Sequence, residues 1–197
     1  MRRSATDNAS AEVVVVHPLD VEDAVITAAM RAKASSTKGV TRGIEARGQF
    51  DALMESVLPR DDVTFEEDTL GGVLGLWVHP ADWRSDEAIL HLHGGWFNFG
   101  SARAFRHLVG HIAARAGARA FIPNYRLAPE HSFPAATDDV LACYKGLADR
   151  GVHRIALTGD SAGGNLALVL ASRVTGVEAV SNDATLSELL CCRQLPT

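Results

Sequence analysis

The chain has 197 residues, 47% hydrophobic and 22% charged, with a formal net charge of −5. This balance excludes a wholly disordered chain and disfavours a nucleic-acid binder, which would need a basic face. No apolar run of about 18 residues supports a membrane span, three cysteines make no disulfide framework, and Met1-Arg2-Arg3 is followed by no signal-peptide core, so a cytoplasmic protein is expected.

Residues 1–10 read as a frayed tail. From about Asp20 to Leu58 the periodicity is helical, carried by Val21, Ala24, Val25 and Ala28 and then, less regularly, by Ile44, Phe50, Leu53, Met54 and Val57. Ser35-Ser36-Thr37-Lys38-Gly39 separates the two stretches, and Pro59 stops the second. After Asp61 the texture changes. Val63 to Thr69 and Val73 to His79 predict two strands around a Leu70-Gly71-Gly72 turn. Ala88 to Leu92 predicts a short apolar strand that runs into Gly94-Gly95. Ser101 can cap a helix whose apolar residues Phe105, Leu108, Val109, Ile112, Ala113 and Ala116 share one face, and Gly117 can end it. Ala120 to Ile122 is strand-like, Pro134 can open a helix that stops near Gly151, Arg154 to Thr158 is strand-like again, and Asn165 to Val174 is helical. Strand and helix alternate from His79 onward, the signature of an α/β sheet with parallel strands.

Chemistry concentrates in three segments. The first is Gly159-Asp160-Ser161-Ala162-Gly163-Gly164, a G-x-S-x-G between an apolar strand and a helix. A serine on so tight a strand-to-helix turn is held in a strained conformation that only small neighbours permit, with its hydroxyl lifted toward a substrate. The following helix presents free N–H groups to developing negative charge. The second is His93-Gly94-Gly95-Trp96, directly after a predicted strand. Acyl transfer needs N–H donors aimed at an oxyanion, and Gly94, Gly95 and Ala162 are the candidates. The third is Tyr125-Arg126-Leu127-Ala128-Pro129-Glu130-His131-Ser132-Phe133-Pro134-Ala135-Ala136. Acyl transfer does not demand this string; its prolines and charges suggest a rigid loop ordered by ion pairs.

Together these segments resemble the hormone-sensitive-lipase-like esterase branch of the α/β-hydrolase superfamily (α/β hydrolase fold-3), over about residues 61–174, with a looser echo in the N-terminal helices. The resemblance implies an α/β-hydrolase fold: a mostly parallel central sheet flanked by helices, with an N-terminal helical cap segment over residues 1–60, a partial core over 61–174 and an atypical tail over 175–197. It implies hydrolysis of a small carboxylic ester through an acyl-enzyme on Ser161, with Gly94, Gly95 and Ala162 as the oxyanion hole. Trp96 stands where the family commonly has a third glycine, so a Cβ restricts the backbone there. No cofactor, metal, nucleic acid or membrane span is implied.

In this fold the triad runs Ser, then Asp or Glu, then His. After Ser161 the chain holds Glu178, Asp183 and Glu188 but no histidine; all eight histidines, from His17 to His153, precede it. A C-terminally truncated chain is therefore expected, for example by a frameshift soon after Val174, with the last strands and helices missing and an open edge on the strand before Ser161. His91 and His93 alternate on a strand, and His107 and His111 stand at i, i+4 without the glutamate of H-E-x-x-H. Structural roles are expected for these and for His131. An alternative to catalysis is a non-catalytic remnant or a small-ligand-binding member of the fold, as in plant gibberellin receptors; an amidase or peptidase of the superfamily is a weaker third reading.

Overall fold

The computed structural model describes residue 18 and residues 20–37 and 43–175. The sequence readings of residues 1–10, of the tail over 176–197 and of Glu178, Asp183 and Glu188 lie outside them. The chain divides into two units between residues 41 and 42. The first contains α1 (Val21–Thr37). Asp20 caps it by accepting the Glu22 N–H at 2.9 Å, and Glu22 and Asp23 place negative charge at the positive end of the helix.

The second unit opens with a 3-10 turn (Gly43–Ala46) and α2 (Arg47–Glu55). There follow β1 (Val63–Leu70), β2 (Val73–Pro80), β3 (Glu87–Leu92), α3 (Ala102–Ala116), β4 (Arg119–Pro123), α4 (Ala135–Asp149), β5 (Arg154–Gly159) and α5 (Ala162–Thr175). The helix ends follow local chemistry. Ser101 Oγ accepts the Ala104 N–H at 3.2 Å to start α3, and Gly117, left-handed at φ 59°, ends it.

The strands lie in the order β1-β2-β4-β3-β5. β1 pairs antiparallel with β2, and β2 antiparallel with β4, whereas β3 is parallel to both β4 and β5. Only β2 of these five therefore runs against the others: the two-residue turn at Gly71-Gly72 reverses the chain into a hairpin, the loop over residues 81–86 reverses it again into β3, and β4 and β5 each return through a helix. Side-chain alternation splits the core into two layers. Ala88, Leu90 and Leu92 of β3 and Phe121 of β4 pack with Val140, Cys143 and Leu147 of α4 and Leu166 and Leu170 of α5. Ile89 of β3 and Ala120 and Ile122 of β4 face Phe105, Val109 and Ala113 of α3. Phe50 and Met54 of α2 lean on this second layer. β3 is thus covered on both faces and paired on both edges. Among the described residues β5 pairs on one edge alone.

Candidate active site

β5 delivers the chain to the site at Gly159. Ser161 has φ +51°, a left-handed conformation costing a residue with a Cβ roughly 1–2 kcal/mol. Its surroundings hold it there. The Asp160 carbonyl accepts the N–H groups of Gly163 (2.8 Å) and Gly164 (3.3 Å), and the Ser161 carbonyl accepts that of Asn165 (3.2 Å), so α5 begins at the serine itself. The approach to β3 is so close that a Cβ on Gly163 would lie 1.8 Å from the Leu92 carbonyl oxygen. A residue larger than glycine would drive the elbow off the sheet. Ser161 is exposed, with the positive end of α5 beside it.

The turn after β3 forms the facing wall. His93 is fully buried, its ring stacked on Tyr125 (4.3 Å between centroids) and Phe105 (5.3 Å), and the Tyr125 hydroxyl donates to the His93 carbonyl at 2.6 Å. Burial pulls the His93 pKa down to about 4 and pushes the Tyr125 phenol up, so both are neutral near pH 7. The next residues turn sharply: Gly95 has φ +122°, and its carbonyl accepts the N–H groups of Asn98 (2.9 Å) and Phe99 (2.8 Å). Trp96 and Phe97 have φ +52° and +61°. The Cβ expected to restrict this turn is accommodated in a left-handed conformation, with the indole edge-on to Phe50 (6.2 Å) and Phe99 (6.1 Å).

The three candidate oxyanion donors are placed differently from one another. The Gly94 N–H donates to Asp160 Oδ1 at 2.9 Å and is committed to that carboxylate. The amides of Gly95 and Ala162, and that of Trp96, have no partner among the described residues. Asp160 is half-buried, and burial raises its carboxyl pKa, against the opposing pull of the Gly94 N–H.

No imidazole among the described residues hydrogen-bonds the Ser161 hydroxyl. His91 touches the residues that lead into the elbow: Nδ1 meets Thr158 Oγ1 at 2.9 Å, and Nε2 lies 3.8 Å from Asp160 Oδ1. Burial lowers its pKa to about 3, so this contact is not an ion pair near neutrality. His107 packs edge-on to Phe65, and His111 Nε2 meets the Leu58 carbonyl at 2.9 Å. Among the described residues no group of three His, Cys, Asp or Glu side chains is placed to hold a metal ion.

The Tyr125–Ala136 loop is ordered by charge. Arg126 forms a fork on Asp139 (Nε and Nη2 to Oδ1 at 3.0 and 2.7 Å), and Asp139 Oδ2 also accepts the Arg126 N–H at 2.8 Å. A residue that sequence reasoning passed over completes the arrangement. Arg47, at the start of α2, donates to Glu130 through two nitrogens (2.7 and 2.8 Å), to the Ala128 carbonyl (2.9 Å) and to the Asn98 carbonyl (2.6 Å). It ties the turn after β3 to the loop. No local signal marks it, because its partners lie 51 to 83 residues away.

These features have counterparts in known proteins. The profile of a family described as alpha/beta hydrolase fold matches residues 89–186. An acetyl-hydrolase of Streptomyces hygroscopicus is 42% identical over 103 residues, spanning 51% of this chain and 34% of that protein. An esterase of Acinetobacter venetianus is 37% identical over 107 residues, 53% of this chain and 35% of that protein. A crystal structure of an esterase from the bacterial hormone-sensitive lipase family superimposes with a TM-score of 0.72 at 34% identity, covering 81% of this chain and 55% of that one. The chain thus spans about a third of the length of these curated relatives and just over half of that structure.

Proposed function

Because the chain belongs to the α/β-hydrolase superfamily, in its hormone-sensitive-lipase-like esterase branch, we propose that it is the nucleophile-bearing part of a serine carboxylic-ester hydrolase. The observation that carries this reading is Ser161 at φ +51°, exposed at the start of α5. Ser161 Oγ bonds to the ester carbonyl carbon, and the carbonyl oxygen takes the negative charge. The N–H groups of Gly95 and Ala162 receive that oxyanion, in a site where the dipole of α5 favours negative charge. The ester C–O bond then breaks, the alcohol leaves with the serine proton, and water releases the acid and restores the hydroxyl. The relative named an acetyl-hydrolase supports short acyl esters as the substrate class. The reading needs no metal or cofactor; among the described residues no helix is long and apolar enough to cross a membrane.

One observation favours a second reading, a ligand-binding or non-catalytic chain: the Ser161 hydroxyl has no histidine partner among the described residues. Hydrolysis of a chromogenic short-chain ester by the wild type and by Ser161→Ala separates the two. Serine catalysis predicts turnover that disappears in the variant; equal rates exclude it. Labelling of the folded protein by a fluorophosphonate, absent in Ser161→Ala, would show an activated serine, and silence would favour the binder.

A further inference from the structure

We infer that Asp160 is a positioning residue that locks the nucleophile elbow to the oxyanion turn. The inference rests on the serine-hydrolase reading and deepens it. The two segments lie 66 residues apart in sequence, and one hydrogen bond joins them directly, from the Gly94 N–H to Asp160 Oδ1 at 2.9 Å. The fit is close on both sides. A Cβ on Gly94 would lie 2.2 Å from Asp160 Oδ2, so the carboxylate occupies the space that any other residue at position 94 would fill. The backbone of Asp160 performs the matching task on its own side, since its carbonyl accepts the Gly163 and Gly164 N–H groups that start α5. Asp160 thereby sets two things at once: the start of the helix that carries Ala162, and the turn in which Gly95 follows Gly94.

Charge is not what this task uses. A carboxylate next to Ser161 opposes the negative charge that develops on the substrate, so an anionic group is an electrostatic cost at this position. The acceptor oxygen is the useful part, and an asparagine carbonyl supplies the same atom without the charge. Asp160→Asn should therefore keep the lock, and Asp160→Ala should open it. A displacement of the order of 1 Å in such an assembly costs about a hundredfold in rate at the extreme.

Two measurements on the full chain test this. The first is the rate of fluorophosphonate labelling at Ser161, resolved into reagent binding and the covalent step. The expected result is a covalent step slowed about tenfold or more in Asp160→Ala, with reagent binding little changed, and a rate in Asp160→Asn within about threefold of the wild type. Equal slowing in both variants would overturn the inference, because the acceptor would then not be the operative feature. The second is hydrogen exchange at the Gly94 amide, which needs no activity. Its protection should fall about tenfold in Asp160→Ala and persist in Asp160→Asn. Unchanged protection in the alanine variant would overturn the lock. A wild type that resists labelling would count against the serine-hydrolase reading, while the Gly94 amide would still decide whether Asp160 holds the turn.

Discussion

β3 and β5 lie side by side in register, from Glu87 opposite Arg154 to Leu92 opposite Gly159, yet they live in different environments. β3 is buried along almost its whole length, with helices on both faces and a strand at each edge. β5 buries Ile155 alone among its six residues, and its other side chains are half-exposed. The strand that leads into Ser161 is thus the less enclosed of the two. What gives Ser161 its geometry comes from the neighbour: the Leu92 carbonyl against Gly163, and the Gly94 N–H on Asp160. A strand-to-helix elbow can be read as a property of its own motif, but here half of it is made by the end of β3.

The largest expected effect breaks or confirms this contrast directly. Leu90 of β3 has no exposed surface, so Leu90→Ala should cost about 3 kcal/mol through lost transfer energy and a cavity that cannot collapse. Leu157, opposite it on β5, is only partly buried, and Leu157→Ala should cost about 1 kcal/mol. Urea unfolding of the two variants checks the difference; equal losses would show that β5 is as enclosed as β3.

Acid should act through the β3 side as well. Burial depresses His91 to about 3 and His93 to about 4, from an ordinary value of 6.5. The unfolded chain then binds protons that the folded chain refuses. Stability present above pH 6.5 is lost as the pH falls below it, by about 1 kcal/mol per pH unit for each histidine. His91 faces Asp160 from the elbow, Thr158 from β5, Phe105 from α3 and the neighbouring His93. The wild type should lose stability between pH 7 and pH 5 more steeply than His91→Gln, as measured by denaturant unfolding at each pH. Parallel slopes would remove His91 from the account.

The smallest effect concerns the start of the two strands. Arg154 pairs with Glu87 across the β3–β5 seam, and its side chain is 42% exposed. Arg154→Met should cost no more than about 1 kcal/mol, because water screens a pair so placed. A larger loss in thermal unfolding would mean that the seam depends on charge rather than on apolar burial.

Much of this was legible before folding. The helix from Ala102 to Ala116 follows from the spacing of Phe105, Val109 and Ala113 between a serine cap and a left-handed glycine. The β1–β2 hairpin follows from Gly71-Gly72 between alternating segments. The elbow follows from its glycines, which have one geometric use between a strand and a helix. The fate of the Gly94 N–H was not legible. His93-Gly94-Gly95 reads as two equivalent donors, and only the fold brings Asp160 within 2.9 Å of one of them. Arg47 was illegible for the same reason: it looks like any polar residue at a helix start until Asn98, Ala128 and Glu130 converge on it.

The sequence by itself determined which segments become helices and strands, the serine and glycine that bound α3, and the place of Ser161 on the strand-to-helix elbow. These are short-range matters, settled by caps, periodicity and the steric limits of neighbouring residues. Only the tertiary structure decided the strand order, the contrast between the enclosed β3 and the one-sided β5, and the pairing of the Gly94 N–H with Asp160. Each of those depends on groups that are distant along the chain and meet only when the sheet is assembled. A hydrogen bond acts over about 3 Å whatever the separation in sequence, and nothing local records which partner will arrive.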